Sequence, residues 1–343
     1  MIEKTNKLVK AISSHFYKLE IQGLLISVNA LTISINTRIP NSNLWIQRRG
    51  SGKSEFLRIL AESNSDRFIV LPEKLYETTI LEFDQEYFND KVWIHDDFIV
   101  AIHGLTTKQR HQLMGLFVEL LSKGEYVRRD RSGEYKVKGR ISCIFPIAQE
   151  NYSRYGKELF YQTLVPERLV PVGFDFTAED MRKAGILKLE KEYNTFRKDI
   201  KLKLPFSDEK VSVKLPKEFF EEINNLSMRL QLLCGLSNTR GVEYVSNWLK
   251  AHALLNDREE VVKEDLEIFK LILPAHQEPR ESLESEIRRF IFNKLLEQEG
   301  VSSSEIYKSF SDYDKRVIRR VLQNIKRDCP NKRGQKDEII FYI

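Results

Sequence analysis

Cysteine is almost absent. Three residues, Cys143, Cys234 and Cys329, are spread over 343 positions. They follow no metal-ligand spacing, which excludes a zinc ribbon or a disulfide scaffold and predicts free thiols of a reducing cytosol. No apolar run approaches the roughly 20 residues that a membrane span needs, so no membrane partner is expected. The opening stretch, MIEKTNKLVK, carries charges with no apolar core behind it, which is not the pattern of a signal peptide. Internal repeats and low-complexity tracts are also missing. What remains is 41% hydrophobic and 31% charged, with a formal net charge of +5. So small an excess makes local clusters, rather than the total, the guide to anionic partners.

The patterning divides the chain. Residues 4–21 place apolar groups at helical spacing, and 24–39 (LLISVNALTISINTRI) read as strand-like and β-branched up to Pro40. Short buried strands are expected at 44–47 (LWIQ), 68–71 (FIVL), 92–95 (VWIH) and 141–145 (ISCIF). Between them, helices are expected at 55–62, carrying Phe56, Ile59 and Leu60, and at 107–122, carrying Leu113, Phe117, Leu120 and Leu121. Residues 125–138 alternate around Ser132-Gly133, a hairpin signature. Strands alternating with helices predict an α/β fold with a parallel sheet. From 217 the pattern turns helical, over 217–235, 240–255 and 263–272. A linker with two prolines (273–282) precedes a last unit with helices at 283–298, 303–309 and 312–327 and a strand in EIIFYI. The expected division is a prefix at 1–40, a core at 41–210, a helical unit at 211–272, the linker, and a unit at 283–343.

Chemistry concentrates in WIQRRGSGKSEFL, residues 45–57. A buried strand enters a glycine-containing loop that opens a helix, and such a loop offers amides and a positive helix end to phosphate. Gly50, Ser51, Gly52, Lys53 and Ser54 fit the second half of the phosphate-loop pattern, while Gln47 stands where its first glycine belongs. Lys53 is suited to reach the β- and γ-phosphates of ATP, and Ser54 to ligate Mg²⁺. About 43 residues on, KVWIHDDF sets Asp96 and Asp97 at the end of an apolar strand. Asp96 suits the metal, and Asp97 stands where a glutamate usually polarises water. One methylene less costs one to two orders of magnitude in rate by proximity. A solvated strand end is the plain alternative for the pair.

These motifs and their order resemble the AAA+ P-loop ATPases. NTRGVEYVSNWLKAHALLNDREEVVKEDLEIF (238–269) resembles the lid segment of their MCM and MoxR-like branch, on Arg240, Ala251-His252-Ala253, Val261-Val262 and Glu264-Asp265. The resemblance implies an AAA+ core with an α-helical lid and nucleotide between them. It implies that Arg240 is the sensor-2 arginine contacting the γ-phosphate, with Arg229 as the weaker candidate. LFYQTLVPERLVPVGFDF (159–176) is similar to the arginine-finger region, which implies that Arg168 serves a neighbouring subunit's ATP in a homo-oligomeric ring, possibly a hexamer. The hairpin is similar to the hairpin that meets DNA in such rings. Arg128 and Arg129 are its candidate contacts, with plain solvation as the alternative. Sensor 1 departs from the pattern: Pro146 falls near its place, and Gln149 and Asn151 are the nearest polar residues.

The last unit resembles a winged helix-turn-helix. Between Lys315 and Lys336 nine basic residues face one acid, a local net charge of +8 against −3 for the rest of the chain. Such polarisation is the footprint of phosphate-backbone binding. Lys315, Arg316, Arg319 and Arg320 are the expected contacts of the second helix with double-stranded DNA, and Lys332 and Arg333 those of a wing turning at Gly334. Together these features predict an ATP- and Mg²⁺-dependent, DNA-binding ATPase. It would be cytoplasmic and nucleoid-associated, in replication initiation, helicase action or helicase loading. The alternatives are a DNA-binding, oligomerising regulator with little turnover, which Gln47, Asp97 and the irregular sensor 1 favour, and a MoxR-like remodeller of proteins.

Overall fold

The first element differs from its expectation. The strand-like stretch 24–39 is the second half of a helix, α2 (Glu20–Leu31), followed by a short 3-10 turn at Thr32–Ser34. The reason is burial on every side: all residues of α2 from Gln22 to Leu31 are buried, so its apolar run has no polar face from which a helical period could be read. An extended run of that length would also exceed an ordinary strand. Helix α1 (Glu3–Ser13) packs so closely on α2 that a Cβ on Gly23 would lie 3.0 Å from Ile12.

This is a computed structural model, and it describes residues 2–130, 133–152, 168–173, 178–190, 200–276, 283–297, 300–311, 313–328, 332–333 and 340–342. Strands β1 (Asn43–Gln47), β2 (Phe68–Val70), β3 (Asn89–Ile94), β6 (Arg140–Ala148) and β7 (Val170–Gly173) form one parallel sheet in the order β2-β3-β6-β1-β7. Parallel pairing sets all their carboxyl ends on one edge. Alternation along each strand divides the core. Trp45, Val92, Ile94 and Ile144 face one side, with α1, α2 and α3 (Lys53–Ser63). Leu44, Ile46, Trp93, Cys143 and Phe145 face the other, under α4 (Glu77–Leu81), α5 (Phe98–His103) and α6 (Thr107–Lys123). There Phe98 stacks on Phe145 with ring centroids 4.2 Å apart. The expected hairpin is present as β4 (Glu125–Asp130) and β5 (Gly133–Lys138), while Ser132 lies outside the described residues.

β7 and α7 (Ala178–Glu190) are followed by three helices, α8 (Phe220–Cys234), α9 (Asn238–Leu255) and α10 (Lys263–Ile272), close to their expected places. Residues 273–276, expected to open the linker, are instead a buried continuation of this unit, because Leu273, Ala275 and His276 fill its apolar interior. Residues 277–282 of the linker lie outside the described residues. The last unit runs α11 (Leu283–Glu297), β8 (Gly300–Ser302), α12 (Ser303–Ser309), α13 (Lys315–Asp328), β9 (Lys332–Arg333) and β10 (Ile340–Tyr342), with an antiparallel sheet in the order β8-β10-β9. Ile318, Leu322 and Ile325 of α13 are buried, as their spacing predicts. They join the core that also holds α1, α2 and α8–α10.

A dry polar network fastens α9 to the sheet. The Tyr244 hydroxyl accepts from Asn29 Nδ2 at 2.8 Å and from Asn43 Nδ2 at 3.0 Å. Its own proton goes to His276 Nε2 at 3.1 Å, and His276 Nδ1 donates to the Leu273 carbonyl at 3.2 Å. Burial pushes the His276 imidazole down to about 4 from 6.5. The unfolded chain takes up this proton near pH 6.5 and the folded chain resists until about 4. The contribution is therefore complete above about pH 6.5 and is lost as the pH falls toward 4. Urea unfolding of wild type and His276→Asn should differ by up to about 3 kcal/mol more at pH 7 than at pH 4, the imidazole share having gone.

Candidate functional site

The carboxyl edge of the sheet brings together the loop after β1, the end of β3 and the end of β6. Gly50 and Gly52 adopt φ of 75° and 94°, left-handed values that only glycine takes without strain. Gly52 precedes the first turn of α3, and the Phe56 amide already bonds its carbonyl at 2.9 Å. The amides before Phe56 form the open, positive end of the helix. Gln47 is explained by alternation. It is the last residue of β1, on the face of Trp45, where its Oε1 accepts from Trp45 Nε1 at 2.9 Å. It belongs to the sheet, and the loop starts at Arg48.

Lys53 is 7% exposed and makes no hydrogen bond or ion pair among the described residues. Burial draws its ammonium below the usual range, and the carboxylates of Asp97 and Glu150 oppose that shift. Asp97 Oδ2 accepts from Asn151 Nδ2 at 3.0 Å, and Asn151 Oδ1 accepts from Arg49 at 3.1 Å. Asn151, one of the two residues considered for sensor 1, meets Asp97. The Asp97 amide donates to His95 Nδ1 at 3.1 Å, so the His95 proton sits on Nε2, which donates to the Pro72 carbonyl at 3.0 Å. Ser54 Oγ lies 3.5 Å from the backbone oxygen of Asp96, whose side chain is exposed. Among the described residues, three buried polar atoms here lack partners: Ser51 Oγ, Asp97 Oδ1 and Gln47 Nε2. Orphaned polar atoms around a buried lysine, beside a glycine cradle, suit an anionic ligand with its cation.

No family model matches the chain, and no curated protein matches it.

Arg168 and Arg240 lie elsewhere. Both line a cavity with Asn41, Ser42 and Val170, at the amino ends of β1 and β7. The length of β1, about 15 Å at 3.3 Å per residue, separates them from the Lys53 loop of their own chain. Arg240 is paired to Glu243 at 3.0 Å, and Arg168 Nε donates to Ser122 Oγ. The expected approach of Arg240 to this chain's own loop is therefore not made, because α9 is fastened to the opposite edge of the sheet. Arg229 is half-buried on α8. Most of the finger region, 159–167 and 174–176, lies outside the described residues.

On the hairpin, Arg128 pairs with the buried Glu77 at 2.9 Å and lies 5.9 Å from the Tyr135 ring centre. It ties the hairpin to α4, whereas Arg129 is exposed and paired, among the described residues, with Glu134 at 2.8 Å. On α13, Lys315, Arg316, Arg319, Arg320 and Lys326 are all exposed, and none makes an ion pair among the described residues. Lys332 and Arg333 form β9, while Gly334 and Lys336 lie outside the described residues.

Sequence reasoning missed three contributors. His95 reads as an ordinary strand end, and only its two hydrogen bonds reveal that it sets the backbone of Asp97. Phe16 and Leu19, in a prefix that offers no chemistry of its own, lie 3.3 Å from where a Gly52 Cβ would be. A buried cation without a partner is a cost to the ligand-free fold. Lys53→Met, which keeps the length and removes the charge, should raise the thermal midpoint of the ligand-free protein. A differential scan checks this, and an unchanged or lower midpoint contradicts it.

Proposed function

We propose that this chain is an ATPase of the AAA+ type that binds ATP with Mg²⁺ and couples the nucleotide to double-stranded DNA, as a homo-oligomer. The observation that carries the reading is the meeting of Lys53, Asp97 and Asn151 at one edge of the sheet, around a loop with two left-handed glycines. Lys53 and the amides from Gly50 to Ser54 would hold the phosphates, and Ser54 and Asp96 the metal. Bound Mg²⁺ would neutralise charge on the phosphate oxygens. Asp97 would orient water and take its proton at Oδ1, which has no partner among the described residues, while Asn151 holds the other oxygen. Because Arg168 and Arg240 sit on the opposite edge, they are suited to a neighbouring copy's phosphates rather than their own. The fourteen-residue helix α13, whose Lys315, Arg316, Arg319, Arg320 and Lys326 make no ion pair among the described residues, would lie against DNA as the recognition helix of a winged helix. Replication initiation, helicase action or helicase loading in the cytoplasm is the setting this combination suits. A second reading, nucleotide binding with little turnover, rests on the short reach of Asp97.

ATP turnover with and without duplex DNA, at several protein concentrations, tests the first reading. DNA stimulation, a steeper than linear concentration dependence and loss of turnover in Lys53→Ala are expected. Tight ATP binding without hydrolysis would select the second reading, and no binding at millimolar ATP would remove both. For DNA, Arg316→Ala and Arg320→Ala should each weaken binding and lower the slope of log K against log salt by about 1 for each phosphate no longer neutralised. Titrations between low and moderate salt measure it, and unchanged slopes count against α13.

A further inference from the structure

A groove opens between α1 and the extended segment 201–205, lined also by Leu255, the last residue of α9. Leu8, Leu202, Leu204 and Leu255 make its floor, and Lys4, Lys7, Lys201 and Lys203 stand at its rim. Its volume is about 430 Å³.

Both walls are held firmly. Asn256 Nδ2 donates to Thr5 Oγ1 at 2.8 Å, so the Thr5 hydroxyl donates on to His252 Nε2 at 2.9 Å, and His252 Nδ1 donates to the buried Asp265 at 2.5 Å. This fixes α1 to α9. The other wall is pinned by side chains acting as a partner strand. Leu202 N–H donates to Ser63 Oγ at 3.0 Å, Leu204 N–H to Asn64 Oδ1 at 2.9 Å, and Asn64 Nδ2 to the Leu202 carbonyl at 2.9 Å. Alternation turns Leu202 and Leu204 inward and Lys201 and Lys203 outward. The amides of Lys201 and Lys203 have no partner among the described residues. Lys201 and Lys203 make no ion pair there either. Lys4 and Lys7 are paired only to the exposed Asp257 and Glu3, at 2.5 and 2.6 Å, and such exposed pairs are weak.

We propose that this groove docks an extended acidic peptide of a partner protein, with aliphatic side chains on the leucine floor, carboxylates at the lysines, and backbone bonds to the free edge of 201–203. Charge complementarity selects an acidic occupant. The extended segment, whose Lys201 and Lys203 amides have no partner among the described residues, selects a peptide. The aliphatic floor, with no aromatic ring among its lining residues, gives a nucleic-acid base nothing to stack on. The inference is independent of the ATP-site reading, and its test uses no ATP.

The probe is a labelled peptide of alternating leucine and glutamate, titrated by fluorescence anisotropy against the full chain. Saturable binding that weakens with salt is expected, with an affinity loss of about tenfold or more in Lys201→Glu/Lys203→Glu. Lys7→Glu, on the opposite wall, should weaken it as well. Circular dichroism confirms that these surface variants are folded. No binding at millimolar peptide, equal binding by the folded double variant, or preferential binding of an oligothymidylate through the same lysines would overturn the proposal.

Discussion

The buried hydrogen bonds around Tyr244 decide how the parts of this protein are arranged. One hydroxyl takes protons from Asn29 of α2 and Asn43 of β1 and passes its own to His276. Sheet, prefix and helical unit therefore meet at a single dry point. Removing any partner leaves a polar group without water, at a cost of about 1–3 kcal/mol. This fastening holds α9 at the amino edge of the sheet. The Lys53 loop lies at the other edge, walled by Asp97 and Asn151, so one chain presents its loop and its arginines Arg168 and Arg240 at opposite ends of the same strands.

Much of this was legible in the sequence, for physical reasons. Short apolar strands closed by glycine or paired carboxylates, and helices with four well-spaced apolar residues, carry their own period. The strands at 44–47, 92–95 and 141–145 and the helix of Leu113 and Phe117 were readable on that basis. α13 was equally plain, since its basic face and its Ile318, Leu322 and Ile325 face alternate without ambiguity. α2 was not, because a helix covered on all sides has no polar stripe, and β-branched residues then imitate a strand. The glycine missing at Gln47 has a local reason: the position where the phosphate-loop pattern sets its first glycine is the last residue of the expected strand, with its side chain bonded to Trp45.

The candidate site was legible in its parts and not in its assembly. Lys53 and the two aspartates follow from local patterns. That Asn151 meets Asp97, that Arg49 meets Asn151, and that His95 bonds the amide of Asp97 depend on the order β3-β6-β1, which sets three distant stretches side by side. Arg128 shows the opposite case. Its charge suggested a phosphate partner, and the structure adds that it is paired with the buried Glu77, which ties the hairpin to α4.

The continuous apolar interior has a practical corollary. Ile12 of the prefix, Phe269 of α10, and Phe292 and Ile318 of the last unit are all excluded from water within one packed body. Fragments cut near residues 40 or 282 would carry freshly bared hydrocarbon at the cut, and each would tend to clump when expressed alone. The boundaries drawn from composition mark where the backbone changes character, whereas cohesion runs straight across them.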